Sequence, residues 1–127
     1  MDSGYRSLEY QQHVFDYYAN RDGLEEAKKK VALVGTSEHH TGLAVDFALN
    51  VNGEYLDELS GNEQELEWIA DNAYKYGFIL RYPKGKESFT GYNYEPWHFR
   101  YVGSKEIALD IKNKNLTLEE YLDGNLN

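Results

Sequence analysis

Two separate segments of the sequence contain imidazole and carboxylate side chains at spacings that suit a metal site. The first reads SEHHTGLAVD over residues 37–46, and the second reads EPWH over residues 95–98. Two imidazoles and one carboxylate are ligands that zinc accepts, and three protein ligands leave a coordination position for water. A second carboxylate beside that water can take its proton. Together the two segments therefore predict a catalytic zinc site.

No single residue of this set carries the prediction. His39 and His40 lie in a polar loop where exposed histidines are ordinary, and His98 lies on a predicted strand where a structural histidine is common. Asp46 is harder to explain structurally, because a charged side chain in an apolar-rich strand needs solvent, an ion pair or a cation. Glu95 precedes a proline and stands three positions before His98. A bend is therefore required to bring these two side chains to one side of a strand.

The elements around the two segments predict an α+β fold, a small antiparallel sheet flanked by helices with the zinc site on the sheet. Alternation of large and small residues over 43–49 predicts a strand that presents Asp46, and Asn52-Gly53 predicts a tight turn. Capping-box pairs open three helices: Asp22 with Glu25, Asn62 with Glu65, and Thr117 with Glu120. We predict helices over 7–20, 22–33, 62–77, 104–113 and 117–122, and strands over 43–49, 78–82 and 97–102, with a loop over 83–94.

Composition limits the classes of partner. The chain has 127 residues and no repeat, so we expect residues 1–127 to form a single domain, and a monomer. A net charge of −9 argues against nucleic acid and anionic membranes as partners, and the lysine run at 28–30 is explained as a solvated helix face. Cysteine is absent, so thiolate metal sites and disulfides are excluded. Because functional residue types begin at Ser3 without a leader pattern, we expect a catalytic domain cut from a longer protein.

A third segment, SGYRS at residues 3–7, completes a recognisable set. Residues 37–46 resemble the Ser-x-His-x-x-Gly-x-Ala-x-Asp signature, and residues 95–98 the Glu-x-x-His signature, of zinc D-alanyl-D-alanine carboxypeptidases and dipeptidases of the VanY type. These are peptidoglycan-trimming enzymes that include L,D-carboxypeptidases. The three segments stand in the family's order and extend from Ser3 to about Gly103. Family members usually have further helical sequence before the SGYRS segment, which this chain lacks.

The resemblance implies one zinc ion bound by His39, Asp46 and His98, with Glu95 as the general base. His40 falls at a variable place in the signature and is not expected to be a ligand. The resemblance further implies an extracytoplasmic enzyme that acts on peptidoglycan stem peptides.

Other side chains are expected to contact the substrate. The resemblance places Arg6 and Gln11 near the scissile amide and Ser37 near the terminal carboxylate, and a fixed guanidinium at Arg6 also suits a developing oxyanion. The loop over 83–94 is expected to form a cleft wall with Tyr92. Trp97 is expected either beneath the substrate or in the core.

Several functions remain open on the sequence. D,D-cleavage of a pentapeptide stem and L,D-cleavage of a tetrapeptide stem are not separated. An endopeptidase that cuts cross-links depends on the shape of the cleft. A non-catalytic cell-wall-binding module with structural zinc is disfavoured by Glu95, because such a site needs no free carboxylate.

Overall fold

Two small antiparallel sheets and six α-helices form the part of the chain that the computed structural model describes, residues 1–126. Short 3₁₀ helices cover Glu38–Thr41 and Ala73–Tyr76. The helices are α1 (Leu8–Asp22), α2 (Leu24–Lys30), α3 (Gln64–Asn72), α4 (Glu87–Thr90), α5 (Lys105–Asn113) and α6 (Leu118–Leu126), and the strands are β1 (Ala44–Asp46), β2 (Leu49–Val51), β3 (Glu54–Leu56), β4 (Phe78–Leu80) and β5 (His98–Tyr101). This arrangement confirms the predicted α+β class.

The three-stranded sheet places two predicted metal ligands side by side. Its order is β1-β5-β4, with both pairs antiparallel, and its register puts Asp46 opposite His98. The extended segment at Ser3 runs along the same end of β1, where the Asp46 amide donates to the Ser3 carbonyl at 2.7 Å. Two of the three sequence segments are therefore joined to each other through backbone hydrogen bonds at Asp46.

The prediction of one strand over residues 43–49 is wrong, because the chain changes sheets within it. The Phe47 amide still donates to the Trp97 carbonyl at 3.0 Å, but Leu49 already pairs with Leu56 in the two-stranded sheet. The predicted turn at Asn52-Gly53 is confirmed: both residues have positive φ, 54° and 89°, as a two-residue hairpin turn requires.

One of the three predicted capping boxes is formed. The Thr117 amide donates to the Glu120 carboxylate at 2.7 Å, and the Glu120 amide donates to the Thr117 hydroxyl at 3.1 Å. Serine hydroxyls cap two other helices, Ser7 at the start of α1 and Ser104 at the start of α5.

The other two capping boxes are wrong for reasons visible in the side chains. Asp22 belongs to the last turn of α1, where it pairs with Arg21 and Lys30, and Gly23 is the residue that precedes α2. Helix α3 begins after Glu63, whose carboxylate turns back to accept from backbone amides at Ser60 and Gly61. The loop predicted over 83–94 also contains the short helix α4.

Two separate apolar clusters support the fold. The helical cluster lies between α1 and α2, and the sheet cluster lies between β4, α5 and the segment that leads into α6. No helix within residues 1–126 combines the length and the apolar character that crossing a bilayer requires. The buried members are Phe15, Ala27 and Val31 in the helical cluster, and Ile79, Ala108 and Ile111 in the sheet cluster.

Candidate active site

Three side chains from separate parts of the sequence converge on one point. His39, Asp46 and His98 are 3%, 7% and 3% exposed, and one ligand atom from each lies within 4.8 Å of the other two. Asp46 Oδ1 is 3.3 Å from His39 Nε2 and 2.6 Å from His98 Nδ1. The inward-facing atoms are therefore two imidazole nitrogens and one carboxylate oxygen.

The outer nitrogens of both rings are held by acceptors, and this defines the tautomers. His39 Nδ1 lies 2.7 Å from the Gly4 carbonyl, and His98 Nε2 lies 2.8 Å from Glu38 Oε1. An oxygen acceptor takes the N–H of the outer nitrogen of each ring, so His39 Nε2 and His98 Nδ1 are the nitrogens that would present lone pairs to a bound metal ion. This is the state in which a histidine binds a metal ion.

The 3₁₀ helix at 38–41 separates the roles of two adjacent histidines. The Ser37 hydroxyl accepts from the His39 amide and caps the helix, which directs the His39 ring inward. His40 turns the other way: its Nε2 accepts from the Gly35 amide, and its Nδ1 donates to the Arg6 carbonyl. The His40 ring therefore supports the Arg6 segment and offers no nitrogen to the cluster.

Glu95 is buried beside the cluster and lacks a partner at one oxygen. The His98 amide donates to the Glu95 carbonyl at 3.2 Å, which closes the bend that the sequence required. Glu95 is 6% exposed, and its Oε1 is the one buried side-chain polar atom within residues 1–124 that makes no hydrogen bond. Burial raises the pKa of Glu95 to about 8, against the opposing charges of His98 and Arg6. Such a carboxyl is adapted to exchange a proton near neutral pH.

The cluster without a metal retains a proton between Asp46 and His98. Burial alone would raise the pKa of Asp46, but hydrogen bonds with His39 and His98 outweigh burial and hold it well below its usual range. Burial lowers the pKa of His98, whereas bonds to Asp46 and Glu38 raise it, and the result is about 9. A divalent cation would replace this proton at the same three atoms.

Arg6 is fixed against the second oxygen of Asp46. Its guanidinium donates to Asp46 Oδ2 at 2.7 Å, to Ser3 Oγ at 2.8 Å and to Gln11 Oε1 at 3.3 Å. Gln11 is fully buried, and its amide nitrogen donates to the Ala32 carbonyl at 2.8 Å. Both polar atoms of Gln11 are thus engaged within the protein, where they hold Arg6.

A cleft of about 850 Å³ opens over the cluster. Tyr92 stacks on Tyr82 with ring centroids 4.7 Å apart, and Tyr82 stacks on the His98 imidazole at 5.0 Å. Trp97 is half-buried rather than part of either apolar cluster. Every site residue predicted from the sequence lines this cleft: Arg6, Gln11, Ser37, His39, Asp46, Tyr92, Glu95, Trp97 and His98.

Sequence reasoning missed the residues on the outer side of His98. Glu38 accepts from His98, Arg81 and Arg100, and Tyr82 stacks on the His98 ring. The adjacency of Glu38 to His39 was the one local sign of this arrangement. Its partners lie more than forty positions away in the chain, so no spacing pattern joins them.

The donor set fits a zinc ion. Two imidazole nitrogens and one carboxylate oxygen match a catalytic zinc site, and the outer shell of a carbonyl and a carboxylate on the two rings matches the usual second shell. The unpartnered Glu95 oxygen adds the free carboxylate that a structural zinc site does not need.

Comparison with known proteins identifies a matching family and a similar protein. The family model described as VanY, D-alanyl-D-alanine carboxypeptidase, matches residues 1–104. A putative carboxypeptidase of Bacillus subtilis (strain 168), YodJ, is 52% identical over 121 residues, which are 95% of this chain and 44% of that protein. The chain thus spans less than half the length of this relative.

Solved structures agree in fold as well as sequence. The LD-carboxypeptidase LdcB is 51% identical with a TM-score of 0.79, over 95% of this chain and 56% of that one. A mutant of the vancomycin resistance D,D-pentapeptidase VanY from the VanB-type cassette, in complex with Zn(II), is 41% identical with a TM-score of 0.79, over 95% of this chain and 69% of that one. The resemblance seen in the three sequence segments is confirmed, and the chain belongs to the VanY family of D-alanyl-D-alanine carboxypeptidases.

Proposed function

We propose that this chain is a zinc carboxypeptidase that removes the terminal D-alanine from peptidoglycan stem peptides. In this proposal His39, Asp46 and His98 bind the ion, Glu95 is the general base, and residues 1–127 form one catalytic domain. The observation that carries the proposal is the convergence of two inward imidazole nitrogens and Asp46 Oδ1 beside an unpartnered, buried Glu95 oxygen.

The reaction requires an activated water and a route for its proton. Zinc in such a site makes a water acidic enough to react near neutral pH. Glu95 has a free oxygen and a pKa raised to about 8 by burial, which suits acceptance of the water proton and its later delivery to the departing amine. One carboxylate therefore serves both proton transfers.

Arg6 and Ser37 supply the positive and hydroxyl groups that a carboxypeptidase needs. A guanidinium has five N–H donors, and the bonds to Ser3, Gln11 and Asp46 use three. The remaining donors suit a developing oxyanion or the terminal carboxylate of the substrate. The Ser37 hydroxyl accepts from the His39 amide, so its own hydrogen is available to donate to that carboxylate. We assign further substrate contacts to Tyr92 and Trp97, which line the same cleft. Gln11 was expected to contact the substrate as well, but it is fully buried with both polar atoms engaged, so we propose that it acts on the substrate through Arg6.

The setting follows from the substrate. Peptidoglycan lies outside the cytoplasmic membrane, so we propose extracytoplasmic action by a monomer. Both D,D- and L,D-cleaving enzymes are among the similar solved structures, and the specificity is therefore left to experiment.

A direct assay tests the proposal. The zinc-loaded protein is incubated with synthetic pentapeptide and tetrapeptide stems, with and without a chelator, and mass spectrometry follows the loss of one alanine. Loss from the pentapeptide alone indicates D,D-specificity, and loss from the tetrapeptide indicates L,D-specificity. Either loss must stop when the chelator removes zinc.

A matched pair of variants connects turnover to the metal cluster. His39→Asn should lose bound zinc and activity, whereas His13→Asn, which changes an exposed histidine of α1, should keep its zinc. Zinc content is measured by atomic absorption. Zinc binding without alanine loss from either stem would contradict the carboxypeptidase assignment and favour a non-catalytic cell-wall-binding module, and cleavage of a cross-linked peptide instead would favour an endopeptidase.

A further inference from the structure

We infer that Glu38 is a positioning residue of the metal centre, which orients His98 and which Arg81 connects to Glu119 of the C-terminal helix α6. The inference rests on the proposed function through the zinc site. It concerns side chains that do not touch the ion themselves.

Two neighbouring side chains fix the orientation of the His98 ring. Its ring is stacked on Tyr82 with an interplanar angle of 5°, which holds the ring plane but leaves open which nitrogen faces the cluster. The bond of 2.8 Å from His98 Nε2 to Glu38 Oε1 removes this ambiguity, because it places the N–H outward. His98 Nδ1 is then directed at Asp46 Oδ1, 2.6 Å away. Carboxylates that hold a metal-binding histidine in this way also make the ring a stronger ligand.

Two arginine side chains hold Glu38 itself in position. Its other oxygen, Oε2, accepts from Arg81 Nε at 3.0 Å and from Arg100 Nη1 at 2.8 Å. The Glu38 side chain is 12% exposed, and the side chains of Arg81 and Arg100 are 10% and 22% exposed. Two guanidinium groups on one oxygen and an imidazole on the other leave the carboxylate little freedom to rotate.

The hydrogen bonds of Arg81 extend to a residue outside the region that the family model matches. Arg81 uses its remaining nitrogens in a bidentate pair with Glu119, at 2.9 and 2.6 Å. Glu119 lies in the first turn of α6, which the Thr117–Glu120 capping box fixes, whereas the family match ends at residue 104. An unbroken series of charged hydrogen bonds therefore runs from Glu119 through Arg81 and Glu38 to His98.

A purely structural ion-pair network would give the same contacts, so the test must observe the metal. We compare Glu38→Ala, Glu38→Gln and Glu119→Gln with the wild-type chain. Glu120→Gln is the matched control: it changes the neighbouring carboxylate of the same helix, which pairs with Lys86 rather than with Arg81, and glutamine still completes a capping box. The zinc Kd is measured by chelator competition, and the visible spectrum of the Co(II)-substituted protein reports ligand geometry.

Glu38→Ala should raise the zinc Kd by about 10–100-fold and shift the Co(II) bands. Glu38→Gln should have a smaller effect than Glu38→Ala, because its one amide oxygen can still accept from His98 Nε2, although its NH2 group then faces the donors of Arg81 and Arg100. Glu119→Gln should change the Kd in the same direction by less than about tenfold, and Glu120→Gln should match the wild type. Near-UV circular dichroism verifies folding, and if Glu38→Ala does not fold, Glu38→Gln and Glu119→Gln decide the matter.

Folded Glu38 variants with the wild-type Kd and an unchanged Co(II) spectrum would overturn the inference while leaving the proposed function intact. An unchanged Glu119→Gln beside a shifted Glu38→Ala would overturn the connection to α6. A wild-type chain that binds no zinc would overturn the proposed function together with this inference.

Discussion

The two sides of the cleft are built differently. The sheet side carries the proposed metal ligands, and its polar groups are tied to one another by short charged hydrogen bonds such as those of Glu38 and Arg81. The helical side, α1 and α2, has an apolar cluster of its own around Phe15. Polar contacts that attach it to the sheet side include the Arg6–Asp46 pair, just before α1, and a hydrogen bond from the Asn93 amide to the Lys29 carbonyl.

This difference predicts that the two sides of the cleft have different functions. A saturated network holds ligands in fixed positions, so changes on the sheet side should alter metal affinity or the chemical step. The helical side lines the cleft but carries none of the proposed metal ligands, so changes there should alter substrate binding more than metal binding.

The largest effect is expected at Glu95, on the sheet side. Glu95→Gln preserves the shape of the side chain but cannot accept the water proton. We expect kcat to fall by about two to four orders of magnitude, the usual contribution of general acid-base catalysis. Zinc content should not change, because Glu95 is proposed to stay outside the ligand set. Steady-state kinetics on the preferred stem peptide and metal analysis of the same sample measure both quantities.

Glu63→Gln is a suitable control, because Glu63 also accepts hydrogen bonds but does so at the start of α3, away from the cluster. It should retain wild-type kcat. A Glu95→Gln protein with full activity would remove Glu95 from the mechanism and leave the sheet side with a metal-holding role alone.

Arg6 connects the two sides of the cleft, so its replacement tests whether it acts on the substrate or on the metal site. Arg6→Lys retains the charge but loses the fork that reaches Ser3, Gln11 and Asp46 together. If Arg6 stabilises a developing oxyanion, kcat/KM should fall by about 10²–10³-fold. Zinc affinity should change much less, because His39, His98 and Asp46 Oδ1 are all retained. A loss confined to zinc affinity would instead place Arg6 functionally with the sheet side.

The sequence allowed good prediction of whatever depends on local pattern. The inner faces of the site come from short motifs with fixed spacing, and residues 37–46 and 95–98 were sufficient to name His39, Asp46, His98 and Glu95 as candidates. The α+β class followed from periodicity, and the Asn52-Gly53 turn followed from backbone preference. These features depend on neighbours in the chain.

What depends on distant neighbours was missed. The Glu38 network requires partners from β4, β5 and α6, and its residue types are ordinary surface types when read singly. The capping boxes predicted at Asp22 and Asn62 do not form, because other hydrogen bonds compete with them. The Asp22 carboxylate pairs with Lys30, and the Glu63 carboxylate accepts from a backbone amide that precedes it in the chain. The break after Asp46 reflects strand partners that come later in the chain.

The pH dependence of zinc binding tests the sheet side by itself. Carboxylate contacts raise the pKa of His98 to about 9, so metal binding at lower pH must displace a proton from this ring. The zinc Kd should therefore rise by about tenfold for each pH unit below 9, or about 100-fold from pH 8 to pH 6. Chelator competition across this range measures the slope.

The metal-free protein should show the opposite trend. A histidine whose folded pKa is raised above its unfolded value of 6.5 stabilises the fold fully below that value, and the stabilisation disappears as pH rises through about 9. Zinc should consequently increase the Tm more at pH 8 than at pH 6. An identical Tm increase at both pH values would mean that the ring is already free of its proton, contrary to the hydrogen bonds with Asp46 and Glu38.

The smallest effect comes from a matched pair of helix caps, one on each side of the cleft. Ser7 caps α1 beside Arg6, and Ser104 caps α5 on the sheet side, and each hydroxyl accepts from a backbone amide at 3.1 Å. Replacing either serine by alanine should lower the free energy of unfolding by about 1 kcal/mol. Urea unfolding of the zinc-loaded proteins measures this loss.

The two caps should differ in function although they match in stability. The Ser7 carbonyl also accepts from the Gln11 amide, and the Gln11 side chain accepts from the Arg6 guanidinium. Fraying of the first turn of α1 should therefore loosen both Arg6 and Gln11. Ser7→Ala should therefore raise KM for the stem peptide with little change in zinc Kd, whereas Ser104→Ala should change neither. Equal KM values in the two variants would show that the start of α1 does not control substrate binding, and the helical side would then serve only as a passive wall.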